Sequence, residues 1–156
     1  MTATNYETLL NRSWKAVQKP KLLPVGSYEL KCRGASFQMP KKDDGKPTFI
    51  FTYEPKEAMT DVPQEALDEL GDYNLSNTRI FKRFWVENDI DLSAVRDHIL
   101  KHGVEMDEDL PITDAGNLKL LRGTSVVAFL QQETYHNKAT GEATPQNVAV
   151  NFAAAE

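Results

Sequence analysis

The residues whose types and spacing best suit a chemical task lie in one short stretch, Asn77–Val86 (NTRIFKRFWV). In an extended strand, successive side chains point to opposite faces. Arg79, Phe81, Arg83 and Trp85 then share one face, and Ile80, Lys82, Phe84 and Val86 share the other. On the first face flat rings alternate with guanidinium groups. Unpaired bases stack on such rings, each stack being worth ~1–3 kcal/mol, while cations follow the phosphates. Arginine suits this surface, because its planar group binds phosphate in a fork or lies against a base. The pattern therefore predicts a surface for single-stranded nucleic acid. The alternative places Phe81 and Trp85 in the core and leaves the arginines as surface ion-pair partners. On the second face Lys82 interrupts an apolar row, as a lysine does when its stem packs and its ammonium reaches water.

The elements that must hold this stretch follow from alternation and punctuation. Val25–Phe37 alternates, with Tyr28, Leu30 and Cys32 on one side and Ser27, Glu29, Lys31 and Arg33 on the other, which predicts a first strand that Gly34 permits to bend. Pro40–Pro47 is a turn with Asp44-Gly45 at its tip, and Thr48–Glu54 is a second strand, so the two form a hairpin. Phe49, Phe51 and Tyr53 share a face of that strand. They either fill the core or, for Tyr53 and Phe49, reach the binding surface beside the third strand, and Tyr53 is counted among the candidate base-stacking residues.

Residues 55–76 form an acidic insertion with a short helix over Gln64–Leu70. Asn77–Val86 is the third strand, and Asp91–His102 an amphipathic helix with Leu92, Val95, Ile99 and Leu100 as its apolar stripe. Asp114–Asn117 is a turn, and Gly123–Thr134 and Gln146–Phe152 are the last two strands. The order is strand, strand, strand, helix, strand, strand. That is the order of the OB-fold, a mainly β, five-stranded Greek-key barrel with a helix between strands three and four, whose strands two and three and hairpin loops bind oligonucleotides or oligosaccharides. Residues 1–22 precede it as an N-terminal helix or arm carrying Tyr6, Leu9, Leu10 and Trp14, which either pairs protomers into a homodimer or caps its own barrel. Lys31, Arg33, Lys41, Lys42, Lys46 and Lys138, on the first strand and the two hairpin loops, are the expected rim charges.

Bulk properties bound these readings. At 156 residues and 40% hydrophobic content the chain suits a single domain. The net charge of −5 is unevenly spread: Arg12–Lys46 holds nine basic and three acidic side chains, a net +6 against −11 for the rest. Such polarisation lets one face be positive while the molecule as a whole stays negative. No apolar run approaches the ~20 residues of a membrane span, and the start of the chain has no secretion-signal pattern. The lone Cys32 is expected in the core of a protein in a reducing cytoplasm.

A resemblance accompanies this pattern. The opening Leu23-Pro-Val-Gly-Ser-Tyr28, the hairpin Lys41-Lys-Asp-Asp-Gly-Lys-Pro47 running into an apolar strand, and Leu121-Arg-Gly-Thr-Ser-Val-Val127 are similar to phage OB-fold single-stranded DNA-binding proteins, over roughly residues 22–152. The resemblance implies binding of single-stranded DNA in phage replication or recombination, in the cytoplasm of the infected bacterial host. It implies no cofactor, and phage or host replication proteins as further partners. Many such proteins end in an acidic tail with a terminal aromatic. This chain ends Asn151-Phe-Ala-Ala-Ala-Glu156, so recruitment through a tail is not expected.

Catalytic patterns are poor, and a non-enzymatic protein is expected. His98 and His102 have the i, i+4 spacing of metal ligands, but Ile-Leu-Lys separates them and the glutamate of a zinc-protease motif is missing. Asp107-Glu-Asp109 reads as a solvated acidic loop. Two rival functions remain: an accessory module that engages another protein through the acidic segments 54–72 and 105–114, and a nuclease using those carboxylates.

Overall fold

The computed structural model describes residues 21–40, 45–136 and 138–155. The proposed N-terminal arm, with Tyr6, Leu9, Leu10 and Trp14, lies outside the described residues, as do Lys41 and Lys42.

The protein is mainly β. Five strands, β1 (Gly26–Gln38), β2 (Thr48–Ala58), β3 (Ile80–Trp85), β4 (Ser125–His136) and β5 (Ala143–Ala154), form one antiparallel sheet in the order β3-β2-β1-β4-β5. The sheet is curled, so that its outermost strands β3 and β5 come into contact. Among the described residues the helices are α1 (Gln64–Asp68), α2 (Asp89–Leu100) and α3 (Ala115–Lys119), with a 3-10 turn at Leu75–Asn77.

Alternation builds the core. Tyr28, Leu30 and Cys32 of β1, Phe49, Phe51 and Tyr53 of β2, Ile80 of β3, and Val126, Ala128 and Leu130 of β4 all point inward and are buried. Burying each large apolar side chain contributes ~1.5–3 kcal/mol, so the three β2 aromatics are a main source of stability. Helix α2 starts at Asn88, whose side chain accepts the N–H of Asp91 at 3.0 Å. It lays Val95, His98 and Ile99 on the core. The expected stripe is thus corrected at one position: Leu100 is half exposed and His98 takes its place.

Two glycines of β1 are required by its backbone. Gly26 has φ +152°, and a Cβ there would stand 2.4 Å from Val62 Cγ2, so the segment after β2 packs directly on the start of β1. Asp61 secures this approach by accepting Ser27 N–H at 2.9 Å and Ser27 Oγ–H at 2.8 Å, which hold its carboxyl below the usual range. Gly34 has φ +144° and sits at a bulge, where the register passes from Cys32↔Tyr53 to Gly34↔Thr52. The extra residue, Arg33, is turned outward, and Gly34, Ser36 and Gln38 then follow on the outer face opposite Thr52, Ile50 and Thr48.

Boundaries differ from expectation where pairing outweighs local composition. β2 runs through Pro55 to Ala58, because a second irregularity sets Leu30 opposite Pro55, so the expected acidic insertion begins later. β3 starts at Ile80, leaving Arg79 just ahead of it, and the expected turn at Asp114 is the N-cap of α3.

Candidate nucleic-acid interface

β3 is held by β2 through the pairs Thr48↔Trp85, Ile50↔Arg83 and Thr52↔Phe81. This register fixes which face is outside. Phe81 is 48% and Trp85 58% exposed, and Arg83 is exposed between them. The Arg83 guanidinium carbon lies 5.4 Å from the centre of the Phe81 ring, a cation–π contact between the two exposed side chains. The opposite face turns inward as expected: Ile80 is buried and Phe84 half-buried, and the Lys82 ammonium lies 5.1 Å from the Phe84 ring centre. A large ring with half its surface in water costs hydration free energy and contributes little packing. Two of them flanking an arginine make a platform suited to stacking on bases.

The other candidates are distributed unevenly around this platform. Arg79 is exposed and bonds the Ser76 carbonyl, and its guanidinium lies 3.6 Å from Glu54 Oε2. Arg33 reaches the same oxygen at 3.1 Å. One carboxylate thus holds two of the expected cations. Lys46 is exposed beside Trp85 and pairs with Glu87, while Val86 N–H donates to the Pro47 carbonyl at 2.9 Å and ties the first hairpin to the end of β3. Lys31 is exposed on β1, opposite Glu54 of β2. Lys138 is exposed too, but the register sets it apart. Leu130 already pairs with Gly26 at the start of β1, and the β4–β5 hairpin lies beyond that point, whereas the platform adjoins the loop that leaves the other end of β1.

Tyr53 is a correction. Its side chain is fully buried and offers no ring to a base. Its hydroxyl lies 2.7 Å from His98 Nε2 and 2.8 Å from His102 Nε2. Phe49 and Phe51 are equally buried and belong to the core. The two histidines therefore do not offer their Nε2 atoms to a metal. Among the described residues no cluster of three or more His, Cys, Asp or Glu side chains is placed to hold one. Cys32 is buried in the core, where burial pushes its thiol up to about 11. Among the described residues no helix is long and apolar enough to cross a membrane.

The fold also assembles a feature that sequence patterns do not announce. An open trough of about 720 Å³ runs beside the bulge of β1. Its cationic edge is Arg33, Lys119 and Arg122, and its floor includes Gly34, Ser36, Ile50 and Thr52. Ile50 and Thr52 are the β2 partners of Arg83 and Phe81, so trough and platform adjoin across a single strand. The trough wall is pinned by two backbone bonds between β1 and the segment after α3, Cys32 N–H to the Thr124 carbonyl at 2.7 Å and Gly123 N–H to the Cys32 carbonyl at 2.9 Å. The Arg122 side chain lies along the Gly34 backbone, its Cγ and Nε each 3.6 Å from where a Cβ would stand. Among the described residues Arg83, Lys119 and Arg122 form no ion pair, so their charges stay available.

Compared with models of known protein families, the chain matches none, and no curated protein matches it either.

Proposed function

We propose that this protein binds single-stranded DNA without strong sequence preference, as an OB-fold protein of a bacteriophage. The observation that carries the reading is the outer face of β3, where Phe81, Arg83 and Trp85 stand together in solvent. Every base has a flat face, so stacking on these rings is sequence-tolerant, and Arg83 meets the phosphate that links two stacked bases. The barrel reading rests on the strand order β3-β2-β1-β4-β5 and on the contact between β3 and β5, which together suit a closed five-stranded Greek key. Helix α2, between β3 and β4, lays His98 against Phe51, Phe84 and Phe152 and so covers one end of such a barrel.

In this reading no catalytic group takes part and no cofactor is required. The protein coats transient single strands during phage replication or recombination in the host cytoplasm, keeps them unpaired and hands them on to replication proteins. The test is titration with oligo(dT), followed by tryptophan fluorescence or anisotropy, with a blunt duplex as competitor. Wild type should bind oligo(dT) and not the duplex. Trp85→Ala removes one stack and should weaken binding by ~1–3 kcal/mol, about 5- to 150-fold, with the melting temperature little changed. Absence of oligo(dT) binding at low salt would refute the proposal.

A further inference from the structure

The platform on β3 accounts for bases, but among the described residues Arg83 is its one cation outside an ion pair, since Arg79 is held by Glu54 and Lys46 by Glu87. We infer that the trough beside the β1 bulge is a second subsite, which takes the phosphodiester backbone of the same strand and so turns its path across the sheet rather than along β3. This rests on the reading of the β3 face as a base-stacking platform.

Three observations carry the inference. The first is continuity. Thr52 and Ile50 pair with Phe81 and Arg83 on one side and line the trough on the other. Neighbouring strands are ~4.8 Å apart. From the platform over β2 to the β1 bulge is therefore ~10 Å, a reach that an extended strand crosses within a few nucleotides.

The second is the shape of that crossing. Thr48, Ile50 and Thr52 of β2 and Gln38, Ser36 and Gly34 of β1 form its outer surface, with no large ring or long charged chain among them. A backbone can lie close on such a surface, and Ser36 and Thr52 offer hydroxyl donors to phosphate oxygens. Gly34 keeps the surface low where Arg122 crosses it.

The third is charge. Lys119 and Arg122 face the trough with no carboxylate partner among the described residues, unlike Arg33 and Arg79, which share Glu54. An arginine whose stem lies along backbone is partly ordered in advance, which lowers the entropy cost when it forks onto phosphate. A binding path limited to β3 would leave these two cations without a role.

The experiment compares wild type, Trp85→Ala and the double variant Lys119→Ala/Arg122→Ala on oligo(dT) across a salt series. Removing the cation that neutralises one phosphate should lower the log–log salt slope by ~0.7. The double variant should therefore have a slope smaller by ~1.4, which corresponds to about 25-fold weaker binding at 0.1 M salt if the affinities converge near 1 M. Trp85→Ala should lower affinity while leaving the slope nearly unchanged. Arg122→Lys, which keeps the charge and removes the fork, should restore the slope and only part of the affinity. Circular dichroism and the melting temperature should match wild type for each of these exposed substitutions. If Trp85→Ala weakens binding and the double variant has the wild-type slope, the trough is off the path and this inference fails while the platform stands. If wild type does not bind oligo(dT) at all, the platform reading itself fails and the trough proposal falls with it.

Discussion

Acid should loosen this protein through His98 in a pH range where ordinary carboxylates are still charged. The His98 imidazole is 3% exposed, with the rings of Phe51 and Phe152 at 4.6 Å and Phe84 at 5.1 Å. Its Nε2 meets the Tyr53 hydroxyl, which also meets His102 Nε2. His102 Nδ1 lies 2.9 Å from the His98 carbonyl and 3.2 Å from that of Ile99, so it must donate. One proton per bond then fits throughout: His98 Nε2–H donates to the Tyr53 oxygen, Tyr53 O–H donates to His102 Nε2, and His102 Nδ1–H donates to the helix carbonyls. That arrangement needs both imidazoles neutral. A proton added to His102 Nε2 would face the Tyr53 O–H, and one added to His98 would put a charge among aromatic rings.

Burial first, then the neighbouring His102, Lys101 and Lys82, lower His98 from 6.5 to about 3, and burial lowers His102 in the same direction. The folded state thus binds fewer protons than the unfolded chain below 6.5. Stability is full above that value and is lost as pH falls toward the folded one. From pH 7.5 to pH 5 the unfolded His98 gains a proton and the folded one does not. At ~1.36 kcal/mol per pH unit below 6.5 the loss is about 2 kcal/mol, with His102 adding to it. Asp61, lowered from 3.8, titrates below this window. Urea unfolding at the two pH values measures the loss. His98→Phe should cost ~1 kcal/mol at pH 7.5, since Tyr53 loses one hydrogen bond, and should flatten the pH dependence to the share of His102. Equal stability of wild type at pH 7.5 and pH 5, or an NMR titration of folded His98 near 6.5, would refute the reasoning.

Other outcomes follow from the same geometry. Tyr53→Phe should lower stability by ~1–3 kcal/mol, because the buried His102 Nε2 loses its donor, yet leave oligo(dT) affinity of the folded protein unchanged. Trp85→Ala should do the reverse, and unfolding curves beside binding curves separate the two. Glu54→Gln removes the carboxylate shared by Arg33 and Arg79; oligo(dT) binding in low salt should tighten, with the salt slope rising by ~0.7 for each arginine that turns to phosphate. Gly26→Ala forces a methyl to within 2.4 Å of Val62 Cγ2 at φ +152°, so thermal unfolding should show a loss of ~1–3 kcal/mol or more.

Period-two alternation was enough to mark the β-strands and to sort Tyr28, Leu30 and Cys32 from Lys31 and Arg33, because successive side chains of a strand must point to opposite sides. Capping chemistry likewise marked α2 to within a few residues, whereas the short α3 read only as a turn at Asp114–Asn117. Alternation is a local property, however, and does not say which side faces inward. Phe81 and Tyr53 are both aromatic residues on alternating strands, and only the register Thr52↔Phe81 beside Tyr53↔Ile80 sends one to solvent and the other to the core. The Arg33–Gly34 bulge resets the alternation of β1 through a left-handed glycine, which composition alone does not distinguish from a simple bend. His98 and His102 belong to the core because a hydroxyl more than forty residues earlier in the chain completes their bonds. The trough brings Lys119 and Arg122 to Arg33, some ninety residues away, while Glu54 takes up part of the charge counted on the basic face. Charge neutralisation and the inner side of a sheet depend on what lies across space, and tertiary pairing alone decides that.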